Sequence, residues 1–78
     1  MPLNNNLDKG INMNVLFIIS TDDAETSYNT IRLANVAVQK GDEVSVFMLG
    51  KGVLYEKSSN DQFNLIEQVS KFEGDFYV

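Results

Sequence analysis

The sequence predicts an α/β fold built on a parallel sheet in β-α-β-α-β order, and three observations carry that prediction. A continuous apolar run, Val15 to Ile19, is followed by a long stretch with apolar residues at helical spacing. That stretch ends at Lys40-Gly41 and leads into a second β-rich run, Glu43 to Leu49. Strand, helix, strand in this order is a crossover unit, because parallel strands need a long connection to return to the same edge.

Residues 1–12 read as a flexible leader, rich in Asn, aperiodic and containing Pro2 and Gly10. Met13 stands directly before the first strong signal, so Met1 and Met13 both remain candidates for the natural start. Asn14 to Ser20 then reads as a strand buried on both faces, as in the middle of a parallel sheet. It is apolar without alternation, short for a helix and rich in β-branched residues.

Ser20-Thr21-Asp22-Asp23 breaks the run. Asp22 with Glu25 has the spacing of a capping box, in which the first side chain accepts from an unpaired N–H and the second reaches back. Asp22, Asp23 and Glu25 also suit the positive end of the helix dipole. The spacing predicts a helix over 23–40 with Ala24, Tyr28, Ile31, Ala34 (with Leu33) and Val38 on its buried side, a face that Val36 and Ala37 widen. Lys40 in the last turn and Gly41 after it form the stop signal. Asn35 interrupts this apolar surface, either as the edge of the stripe or as a hydrogen-bonding group across an oligomer interface.

After the strand over 43–49, Gly50-Lys51-Gly52 brings the chain to the sheet edge that also carries Ser20 to Asp23. Val53 to Asn60 reads as a polar connection with one apolar patch, Val53-Leu54-Tyr55. Asn64 and Glu67 repeat the capping-box spacing at the head of a second helix, whose buried side is Leu65, Ile66, Val69 and Phe72. Gly74 closes it, and Asp75 to Val78 reads as the start of a third strand.

Composition excludes several function classes. At 78 residues the chain is at most one domain, and a domain this small buries only ~60–65% of the surface its unfolded chain exposes. With no cysteine and no histidine there is neither a disulfide nor a ligand set for structural zinc. The 44% hydrophobic and 22% charged content is that of a globular chain rather than a disordered one. Six basic residues against eleven acidic ones, net −5, oppose contact with a phosphate backbone, so no nucleic-acid partner is expected. The longest apolar run is far shorter than the ~20 residues of a membrane span. The N-terminus lacks the pattern of a signal peptide, so a cytoplasmic location is the default.

Ligands of open parallel sheets bind beyond the carboxyl ends of the strands. That places Ser20, Thr21 and Asp22 together with Gly50, Lys51 and Gly52 as candidate ligand-binding residues, with backbone N–H groups and the Lys51 ammonium facing an anion. The plainer reading, a tight turn beside a solvated lysine, is favoured, since Gly50-Lys51-Gly52 matches neither a P-loop nor a dinucleotide fingerprint. Asp22, Asp23 and Glu25 form an acidic cluster that capping already explains, so no metal site is assigned. Ser20 and Thr21 have no histidine base, and no catalytic residue is assigned. No cofactor is expected. Tyr28, Tyr55 and Tyr77 read as packing residues with a polar tip.

The segments Val15 to Asp23, Ile31 to Ala37 and Gly41 to Val53, with Gly74 to Val78 at the third strand, resemble the DsrE/DsrF-like family of small sulfur-relay proteins. The resemblance covers residues 13–78. It implies a three-layer α/β/α domain, of which these residues are the N-terminal portion, that forms homo-oligomers or pairs with related subunits and works with a sulfur-donor or acceptor protein. It also implies a persulfide-bearing cysteine in a Cys-Gly-Thr-Cys-like segment immediately after the position of Val78. On that reading the chain stops before its reactive residue, as a fragment, as a frameshifted copy, or at a UGA codon read as selenocysteine. The expected function is a component of intracellular sulfur relay lacking its sulfur-bearing residue. The alternative is a non-catalytic small-ligand-binding or oligomerisation module of the same fold. Either way a sheet that needs cover on both faces predicts an isolated chain that is weakly stable or self-associated.

Overall fold

A sequence with two crossover units folds into a sheet whose strands lie in chain order, β1-β2-β3, all parallel. The computed structural model describes residues 13–78; the leader predicted over 1–12 lies outside the described residues. β1 is Asn14–Ile19, α1 Ala24–Gln39, β2 Glu43–Met48, α2 Tyr55–Ser58, α3 Leu65–Lys71 and β3 Asp75–Tyr77, with a 3₁₀ turn over Gly50–Leu54 ahead of α2. The α/β class and the β-α-β-α-β order are those the sequence predicts.

Strand order and helix placement together determine which face is covered. Val44, Val46 and Met48 alternate along β2 and are buried together with Ile19 of β1, Ile31 and Ala34 of α1 and Leu65 of α3. One core therefore holds both long helices against the same face of the sheet. Two crossovers of the same hand, each stepping one strand further, produce this arrangement. Val15, Phe17, Tyr55 and Phe76 complete the core from its margins. Tyr55 and Phe76 meet edge to face at 5.6 Å, as do Tyr28 and Phe63, a geometry that adds to the area they bury.

Two expectations for the first crossover are corrected. β1 was expected in the middle of a sheet with both faces buried. Among the described residues it is an edge strand, and Leu16 and Ile18 are exposed. The residue capping α1 is Asp23 rather than Asp22. Its Oδ2 accepts from the Thr26 backbone N–H at 2.9 Å and from the Thr26 hydroxyl at 2.7 Å. The Asp23 N–H in turn donates to Thr21 Oγ1 at 3.0 Å. The threonine decides the choice, since it offers two donors to the carboxylate three residues back. α1 stops as expected: Lys40 is its C-cap and Gly41 follows at φ 99°, where glycine avoids the Cβ penalty.

The same hydrogen bonds hold the Asp23 carboxyl below its ordinary value of 3.8, the Thr26 hydroxyl first and the backbone N–H second. Its contribution to stability is therefore present above the ordinary aspartate range and is lost as pH falls through the lowered value. Asp23→Ala is expected to lower the urea midpoint at pH 7, while Asp22→Ala leaves it unchanged. Asp23→Asn should retain most of the cap and lose the acid dependence. Equal midpoints for the two alanine variants would contradict the assignment.

The connection expected over Val53 to Asn60 contains the end of the 3₁₀ turn and the four-residue α2. Its apolar patch explains the helix, because Tyr55 turns back onto the core. Asn64 caps α3 as expected, accepting from the Glu67 N–H at 3.1 Å. The Asn35 amide donates to the Gln68 carbonyl and to Gln68 Oε1, both at 3.2 Å, tying α1 to α3.

Candidate functional site

The carboxyl ends of β1 and β2 bring the two predicted site segments together. The Leu49 N–H donates to the Ile19 carbonyl at 2.9 Å, and the 3₁₀ turn that follows lies against the same stretch of β1. Gly50, at φ 52°, faces the Ser20 carbonyl, and Gly52 packs so closely on Ile19 that a β-carbon would overlap its carbonyl oxygen. Ser20, Asp22 and Lys51 stand exposed at this edge and Thr21 is half-buried. The Gly52 N–H binds the Leu49 carbonyl at 2.8 Å, and the Asp23 and Thr26 N–H groups are committed to the α1 cap. Lys51 forms no ion pair among the described residues. This edge is thus a tight junction of β1 and β2 with one free cation beside it.

Among the described residues no group of three or more acidic side chains converges to hold a metal ion. A cleft of about 350 Å³ lies between α1 and α3, lined by Arg32, Asn35, Gln39, Gln68, Lys71 and Glu73. Its charges are mixed, and Lys71 lies 4.0 Å from Glu67 on its own helix. Burial, and to a smaller extent neighbouring Glu56, raises the Tyr55 phenol above its ordinary 10.0, so it stays protonated at neutral pH.

A feature that residue-by-residue inspection missed is the second face of the sheet. The register sets its side chains in rows: Asn14 beside Glu43; Leu16 beside Ser45 and Asp75; Ile18 beside Phe47 and Tyr77. No helix of the described chain covers them. Leu16, Ile18, Phe47 and Tyr77 are between 38% and 58% exposed, on a sheet whose other face is a closed core. The Phe47 and Tyr77 rings stack at 4.7 Å with an interplanar angle of 20°. The face is apolar toward the carboxyl ends of the strands and acidic toward their amino ends, where Glu43 and Asp75 stand exposed. A shallow hollow of about 410 Å³ runs across it, lined by Leu16, Ser45, Phe47, Tyr77, Glu43 and Asp75. The signal for this face was present in β2, where Glu43 and Ser45 alternate with Val44 and Val46. β1 concealed it, being apolar at every position from Val15 to Ile19.

No helix among the described residues is long and apolar enough to cross a membrane. No family model matches the chain, and neither curated proteins nor solved structures give a match.

Proposed function

We propose that this chain is an association module of DsrE-like type serving cytoplasmic sulfur relay, binding a related subunit or another copy of itself and carrying no sulfur on its own residues. The observation that supports this best is the sheet face left uncovered among the described residues, apolar across Leu16, Ile18, Phe47 and Tyr77. An uncovered apolar face on a parallel sheet calls for a partner layer. The relay setting rests on the resemblance of Val15 to Asp23, Ile31 to Ala37 and Gly41 to Val53 to that family. The restriction on chemistry follows from the residues: a persulfide is held on a cysteine thiolate, and the chain has no cysteine. Association is favoured over small-ligand binding at Ser20, Thr21, Asp22, Gly50, Lys51 and Gly52, because the Gly52 donor there is already engaged.

Sedimentation velocity tests the association. The mass of the chain should rise with concentration above the 8.8 kDa monomer, and Leu16→Lys should shift it back toward the monomer. A cooperatively unfolding monomer at all concentrations would remove the reading. The relay setting has its own test, sulfane-sulfur labelling of the chain beside a version extended after Val78 by a Cys-Gly-Thr-Cys segment. Uptake by the extended version alone is expected; equal labelling, or none in either, would count against it.

A further inference from the structure

We draw no further inference here: the strongest candidate, the polar cleft between α1 and α3, carries exposed charges of both signs, and its half-buried amides, Asn35 and Gln68, already bond each other, so nothing among the described residues shows what would occupy it.

Discussion

Gly52→Ala is expected to destabilise the chain by about 3 kcal/mol or more, while Gly50→Ala two residues earlier costs about 1–2 kcal/mol. The two glycines sit in the same turn for different reasons. Gly50 has φ 52°, a conformation that carries a modest penalty for any L side chain, and a β-carbon there would find open space beyond the Ser20 carbonyl. Gly52 carries no positive φ, but a β-carbon would overlap the Ile19 carbonyl oxygen and press on the carbonyl carbon. These are backbone atoms and cannot swing away. That oxygen is also the acceptor for the Leu49 N–H at 2.9 Å. Relief of the overlap would require parting β1 from the end of β2, which are otherwise in register from Asn14–Glu43 to Ile19–Met48. A domain of this size has about 5 kcal/mol to lose. Urea denaturation of the two variants checks the ranking; a Gly50→Ala effect as large as that of Gly52→Ala would show that turn conformation, not close approach, fixes this junction.

Gly52 also shows where the sequence was legible and where it was not. The order of elements could be read because each carries a local cause: Gly41 after Lys40 stops α1, and Asn64 three residues before Glu67 starts α3. The Gly50-Lys51-Gly52 segment was legible as a turn, but the close approach of Gly52 to Ile19 joins residues 33 apart, and no local pattern encodes it. The cap was misplaced by one residue because Asp22 and Asp23 are adjacent carboxylates, and only the Thr26 hydroxyl distinguishes them. α2 was missed because four residues are too few to display a period. The largest difference concerns β1. An apolar run states that a strand prefers to be covered on both sides; whether something covers it depends on the other layers present. The candidate ligand residues at the carboxyl edge were predicted from where ligands bind in such sheets, and the structure does bring Ser20 and Gly50 together. The open face was less legible, since its apolar members come from three strands and are united only by the register.

That asymmetry between the two faces produces the second large effect. Ile31→Ala should destabilise the chain by about 3–4 kcal/mol, and Ile18→Ala by less than about 1 kcal/mol. The side chain removed is the same in both, so only the surroundings differ. Ile31 is 0% exposed and is enclosed in the core formed by Ile19, Ala34, Val46, Met48 and Leu65. Truncating it removes buried methyl groups and leaves a cavity that two helices and a sheet cannot all collapse to fill. Ile18 is 58% exposed beside Phe47, so water already reaches most of its surface and no cavity follows. Urea midpoints measured at low protein concentration give the comparison for the isolated chain. Repeating them at high concentration separates fold from association: Ile31→Ala should lose the same amount at both, whereas the cost of Ile18→Ala should grow as the wild-type face becomes occupied. If Ile18→Ala proves as costly as Ile31→Ala at low concentration, the second face is covered within the single chain and the need for a partner layer disappears.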